Sequence, residues 1–425
     1  MEKKKLILIG GGNRGNTYTS IGKNIEKFEL IAVAEPIKVR REYIAKLHGI
    51  PESMQFESWE QLLALGKIAD AAVIATMDRD HFAPALAAIE AGYNVLLEKP
   101  VSPLPEECRA LAEAAEKKGV SVLVCHVLRY TPFFRALKKL IDEGYVGKIM
   151  NITHFEPVGH VHQSHSFVRG NWGNTARSSP MLLQKSCHDL DILQWLIGRD
   201  CLRVQSFGHL SHFVASEAPE GATERCLDGC PYVDSCIYST KRNYVERKND
   251  GNWFRGTLTK HHEPVEDEVV YEALANSNYG RCVYKCDNDV VDHQIVNMEF
   301  EDGILVSFTM SAFNTHSKGR SIHIMGTEGE LIAAAARDTI TYHNLKTNEE
   351  REIPIAETVA NDSITSGHGG GDSGIMHSFY ELLETGKMDP SLSDIRISVK
   401  NHMIVFAAET SRLEGRVVDM SEFTL

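Results

Sequence analysis

The stretch Lys5–Gly15, KLILIGGGNRG, constrains the fold more than any other part of the chain. Its apolar run Leu6–Ile9 is short enough for a buried strand and stops abruptly in glycine. Glycines 10, 12 and 15 fit the pattern G-x-G-x-x-G. In a dinucleotide site Gly10 makes the tight turn, and Gly12 lets the backbone approach a pyrophosphate. Gly15 lets the next helix pack closely on the strand. Asn13 and Arg14 stand at the start of that helix, whose N–H groups suit phosphate. A second apolar run, Phe28–Ala34, leads into Glu35, 20 residues beyond Gly15. About 20 is the spacing at which an acid meets the ribose. A carboxylate there accepts from a 2′-hydroxyl and repels a 2′-phosphate, so the expected cofactor is NAD rather than NADP. Lys38, Arg40 and Arg41 lie near enough in sequence to soften that preference.

A chain of 425 residues exceeds one ordinary core, so two domains are expected. A net charge of −13 argues against a nucleic-acid surface and suits a cytoplasmic protein. No apolar run approaches the ~18 residues of a membrane span. The start, MEKKK then LILIGGG, reads as a first strand and not a signal peptide, because its apolar part is too short. Nine cysteines, several within apparent helices and strands, suggest reduced thiols.

From Leu6 to about Cys125 short apolar runs alternate with amphipathic stretches. Strands are expected at Leu6–Ile9, Leu30–Ala34, Ala71–Ala75, Val95–Leu97 and Val120–Val124. Strands alternating with helices imply a doubly wound parallel sheet, a Rossmann domain over 1–125. Ligands in such sheets bind beyond the strands' carboxyl ends. That rule selects Gly10–Gly15, Thr76 to His81, and Glu98-Lys99-Pro100 as the cofactor edge. Lys99 is the reactive candidate there, since a lysine can hold a substrate hydroxyl or exchange its proton.

GGGNRG at 10–15, Glu35, ATMDRDH at 75–81 and NVLLEKP at 94–100 together resemble the Gfo/Idh/MocA family of nicotinamide-dependent sugar and polyol dehydrogenases. The resemblance implies a second α/β domain, here 126–425, built on a large open, mainly antiparallel sheet. It also implies homodimers or homotetramers packed through that sheet. The partner would be a small carbohydrate or polyol, with no nucleic acid and no membrane.

In the second part, His126, Arg129 and Tyr130 follow the last Rossmann strand and are candidates for the substrate side, His126 being equally readable as a structural histidine. The loop Val158–Trp172 offers Arg169 and Trp172 for gripping a sugar ring. The segment Ser179–Gly198 has a helical apolar pattern and a glycine stop. Gln184, His188 and Asp191 share one face of it, and Lys185 and Asp189 are four apart. In the resembled family the matching helix carries an aspartate and, four residues on, a histidine. Together with the lysine of the EKP motif they form the catalytic set. His188 matches the histidine; Gln184 replaces the aspartate, leaving Lys185 or Asp189 to share its role.

Residues 212–290 read as an insertion holding clustered cysteines. Cys226, Cys230, Cys236 and Cys282 could bind a structural zinc or an iron–sulfur cluster, although none of the gaps is C-x2-C; reduced thiols in a structural flap are the other reading. Three functions remain open: a dehydrogenase of a secondary hydroxyl, a redox-neutral glycosidase or lyase that oxidises transiently, and an NAD(H)-binding sensor.

Overall fold

The computed structural model describes residues 2–247, 252–316, 319–359 and 368–423. Among them the first sheet has six strands: β1 (Lys4–Ile9), β2 (Phe28–Ala34), β3 (Gln55–Phe56), β4 (Ala71–Ile74), β5 (Asn94–Leu97) and β6 (Val122–Val124). Their order is β3-β2-β1-β4-β5-β6. β1 pairs in parallel with β2 and β4, and β4 with β5. Leu6, Ile7, Leu8 and Ile9 are all buried, as are Ala71 to Ile74. This is the unbroken apolar character of strands covered on both faces. The five expected strands are present, each shifted by at most two residues. The two-residue β3 was not expected, because Gln55–Phe56 is too short to show a period.

The second sheet has nine strands: β7 (Ile149–Pro157), β8 (Cys201–His209), β9 (His293–Phe300), β10 (Leu305–Ser311), β11 (Ser321–Gly326), β12 (Gly329–Ala334), β13 (Thr339–Asn344), β14 (Glu349–Pro354) and β15 (Val418–Asp419). Their order is β14-β13-β12-β11-β7-β10-β9-β8-β15. β7 and β10 run parallel, while β9–β10, β7–β11, β11–β12 and β12–β13 are antiparallel. Burial alternates along β9 and β10, so one face is packed and the other open.

The chain packs as two compact units assembled from discontinuous stretches. One comprises Met1–Glu98, Val158–Met181 and His209–Asp292. The other comprises Lys99–Pro157, Leu182–Gly208 and His293–Leu425. The expected loop 158–172 is instead helical, with a turn at His160–His162 and a π-helical turn over Gln163–Arg169 that is buried throughout.

Candidate active site

The glycine loop is built as its spacing requires. Gly10 has φ +93°, and a Cβ on it would lie 2.5 Å from the Ala75 carbonyl oxygen. A Cβ on Gly15 would lie 2.2 Å from the Gly10 oxygen, so helix Asn13–Asn24 can sit this close only with glycine there. Gly12 differs: the nearest atom to a Cβ is Arg40 Nη1 at 3.9 Å. No side chain caps the helix, and no acid lies in its first turn. An open approach at Gly12 above an uncapped helix start fits a pyrophosphate.

Glu35 is buried and braces this loop. Its Oε2 accepts from Gly11 N at 2.6 Å and its Oε1 from Ile37 N at 2.8 Å. Arg14 Nε donates to Glu98 Oε1 at 2.7 Å, and Tyr18 Oη donates to the same oxygen at 2.7 Å. Thr76 donates its hydroxyl to the Asp80 carbonyl, while His81 Nε2 lies 3.2 Å from the Thr76 carbonyl. Arg14 and Tyr18 thus tie the first helix to the end of β5 at Glu98, while Thr76 and His81 close the turn after β4 on itself.

The segment after Trp253 supplies contacts that sequence reading missed. Asn13 Nδ2 donates to Thr257 Oγ1 at 3.2 Å, and His262 Nε2 lies 2.8 Å from the Gly11 carbonyl. Arg40 Nε donates to the Lys260 carbonyl at 3.3 Å. Helix Asn252–Thr259 and the residues behind it therefore lie directly on the glycine loop. No periodic signal in this polar stretch pointed there.

In the other unit, Lys99 Nζ donates to the backbone carbonyl of Gln184. Gln184 lies on helix Met181–Ile197, the expected helix, one turn before His188. The His188 ring lies edge-on to His126 at 5.7 Å between centroids, and His126 to His402 at 5.8 Å. Sequence reading did not single out His402. It accepts from Val101 N at 3.0 Å through Nε2, and its Nδ1 lies 2.6 Å from the Ser398 carbonyl. That pairing requires a neutral ring with the proton on Nδ1. Burial, with His126 adding, lowers its pKa to about 3. His402 thereby fixes the backbone two residues beyond Lys99.

Lys185 and Asp189 belong to a buried charged cluster. Asp189 Oδ1 lies 2.8 Å from His154 Nε2 and accepts from Arg320 Nε at 2.7 Å. Burial pushes its carboxyl up, but Arg320 and His154 hold it well below the usual range. Lys185 Nζ lies 3.4 Å from Glu156 Oε1, and Arg320 Nη2 lies 2.7 Å from Glu156 Oε2. Burial lowers the Lys185 pKa against the pull of Glu156, and Arg320 and Lys99 lower it further.

Four of the five candidates for the substrate side make hydrogen bonds or ion pairs within the protein. Arg129 is buried in a two-pronged ion pair with Asp191, at 2.6 and 2.8 Å. Tyr130 Oη sits 2.9 Å from Ser393 Oγ and accepts from Ser393 N. Arg169 is buried, donating to the carbonyls of Arg281 and Tyr238. Trp172 Nε1 donates to Asp78 Oδ1. All four have internal partners, and Arg129, like His126, lies against helix Met181–Ile197, through Asp191 and His188 respectively. Cys226, Cys230, Cys236 and Cys282 line one small cavity with Arg169. Among the described residues, however, no three His, Cys, Asp or Glu side chains are grouped to hold a metal ion, so the expected ligand set is not assembled.

Residues 4–126 match the profile described as oxidoreductase family, NAD-binding Rossmann fold, and residues 138–420 match its C-terminal alpha/beta domain. The chain belongs to the Gfo/Idh/MocA family. Among its Gfo/Idh/MocA relatives, a putative oxidoreductase YteT from Bacillus subtilis is 22% identical over 347 residues, 79% of this chain and 77% of that protein. Inositol 2-dehydrogenase 4 from Saccharopolyspora erythraea is 30% identical over 219 residues, 51% of this chain and 60% of that protein. The fold matches an inositol dehydrogenase homolog from Azotobacter vinelandii complexed with NAD+, with TM-score 0.71 and 18% identity over 98% of this chain and 97% of that one.

Proposed function

We propose that this Gfo/Idh/MocA protein is an NAD-dependent oxidoreductase acting on a secondary hydroxyl of a sugar, glycoside or inositol-like polyol. The observation that carries the reading is Lys99, whose amine rests on the helix bearing Gln184 and His188, with His126 beside it. When bound, NAD supplies the hydride acceptor. Lys99 takes the hydroxyl proton, and His188 orients the oxygen that loses it. The open loop at Gly12 and the uncapped helix start receive the pyrophosphate. Glu35 favours NAD over NADP, because a 2′-phosphate would meet its carboxylate. Side-by-side titration with NAD and NADP tests this, with tighter NAD binding expected. NADH formation at 340 nm over a polyol and sugar panel tests the reaction.

Gln184 supports a second reading. It cannot ionise where the family places an aspartate, and this favours a redox-neutral glycosidase or lyase that returns the hydride. Product formation without net NADH distinguishes that reaction.

The partner we propose besides the substrate is a second copy of the chain. The open face of the second sheet presents Phe207, Ile295, Leu305 and Ile332, each more than 40% exposed. Such a row on one face suits burial in a homodimer or homotetramer.

A further inference from the structure

We propose that Arg40 receives the pyrophosphate of the bound dinucleotide and that the segment 257–262 positions it for that task. The proposal rests on the oxidoreductase reading above and adds a phosphate ligand, with its support, to the nucleotide site.

The argument begins with where the basic residues go. Arg14 lies within the glycine motif, and Lys38, Arg40 and Arg41 follow the second strand. Arg14 Nε turns to Glu98 Oε1 at 2.7 Å. Arg41 Nη1 donates to the Glu35 carbonyl, and its Nη2 reaches Glu57 Oε1 at 3.1 Å. Lys38 Nζ is exposed and lies 3.7 Å from Glu42 Oε1. Arg40 instead stands over the loop, its Nη1 being the nearest atom to a Cβ built on Gly12, at 3.9 Å. Its Nε donates to the Lys260 carbonyl at 3.3 Å. Among the described residues neither Nη1 nor Nη2 has a hydrogen-bond or ion-pair partner, and neither is sealed from solvent. Glu35 turns its two oxygens to Gly11 N and Ile37 N rather than to this guanidinium. Two open donors on one cation therefore sit at the approach to Gly12, and a phosphate accepts from such a fork.

The anchor of Arg40 lies 220 residues further along the chain. Three successive residues of the loop meet that short segment. The Gly11 carbonyl lies 2.8 Å from His262 Nε2, Gly12 lies under Arg40, and Asn13 Nδ2 donates to Thr257 Oγ1 at 3.2 Å. Lys260 has φ +65°, a region that a residue with a side chain seldom adopts. The contacts on either side hold it there, with its carbonyl on Arg40 Nε. Local strain kept in this way points to a use. With Nε anchored, the guanidinium has less freedom left to lose when a ligand arrives, and its two Nη groups face outward.

The test uses the full chain and four probes: adenosine, ADP, adenosine 2′-monophosphate and NADH. Affinities are read by calorimetry, that of adenosine by competition with NADH. Arg40→Gln should weaken ADP and NADH about ten- to hundred-fold, the range of a charged hydrogen bond, and leave adenosine unchanged. Its urea midpoint should match the wild type, which separates lost charge from lost folding. Lys260→Pro, which cannot take a positive φ, should weaken ADP in the same way, whereas Lys260→Gly should bind ADP as the wild type does. In the Arg40→Gln background Lys260→Pro should add no further loss, because Lys260 acts only through Arg40. Unchanged ADP affinity in Arg40→Gln, or an equal loss for ADP and adenosine, overturns the proposal. So does a larger loss for adenosine 2′-monophosphate than for ADP, since it would put Arg40 at the 2′ position. Full ADP affinity in Lys260→Pro overturns the positioning role. Failure of the underlying oxidoreductase reading shows separately, as a wild-type chain that does not take up NADH.

Discussion

Gly12 and Gly15 look alike in sequence, yet a methyl group on each should have opposite effects. On Gly15 it collides with the Gly10 carbonyl, so Gly15→Ala should cost about 1–3 kcal/mol of stability, visible in the urea midpoint. On Gly12 it meets only open space near Arg40. Gly12→Ala should keep the wild-type midpoint and bind NAD at least about ten-fold more weakly, because it fills the approach of the pyrophosphate. Lys99→Ala should lower turnover by about 10²–10⁴-fold with NAD affinity nearly unchanged, the usual range for a positioned proton-transfer group. The reading of these positions from sequence had a local basis, since a turn followed by a helix dictates its own glycines. Arg129 and Arg169 had none. Each is locked by partners 62 and 112 residues away, and no spacing along the chain announces such a pair. An arginine in a loop and an arginine in a buried ion pair read the same until the fold is known.

At the level of elements, strong periodicity was legible and weak periodicity was not. The buried parallel strands and helix Met181–Ile197 stand where their apolar patterns end in glycine or a polar turn. β13 and β14 carry little hydrophobic period, because their outward residues are polar and their inward ones few. The segment 158–181 lacked a pattern for another reason: its anchor lies at the end of β4. Asp78 there accepts from Trp172 Nε1 at 3.1 Å, Ser178 Oγ at 2.9 Å and Ser179 Oγ at 2.6 Å, and is itself buried. One carboxylate thus holds three donors of a distant stretch. Asp78→Ala should strand those donors and lower stability by about 3 kcal/mol. Urea unfolding checks this, and a loss near zero would mean that water replaces the carboxylate.

For the whole molecule, buried histidines set the acid limit. The His402 pKa lies near 3 against an ordinary 6.5, and the His48 pKa near 4, each lowered first by burial. The unfolded chain binds protons at these positions between those limits and the folded chain does not, so stability falls as pH drops below 6.5. For His402 the loss is about 1.4 kcal/mol per pH unit until pH reaches its folded value. The less buried His48 adds a smaller, screened share. Thermal midpoints should be level near pH 7 and fall steadily from pH 6 to pH 4.5; a flat profile would contradict the neutral His402 pairing. The contacts of Thr257 and His262 with the glycine loop, and of Lys260 with Arg40, bear on time rather than energy. A nucleotide seated beneath such a strap leaves only as fast as the strap lets go. If the strap holds the nucleotide of the proposed function in this way, purified protein should emerge from gel filtration still absorbing at that nucleotide's wavelengths.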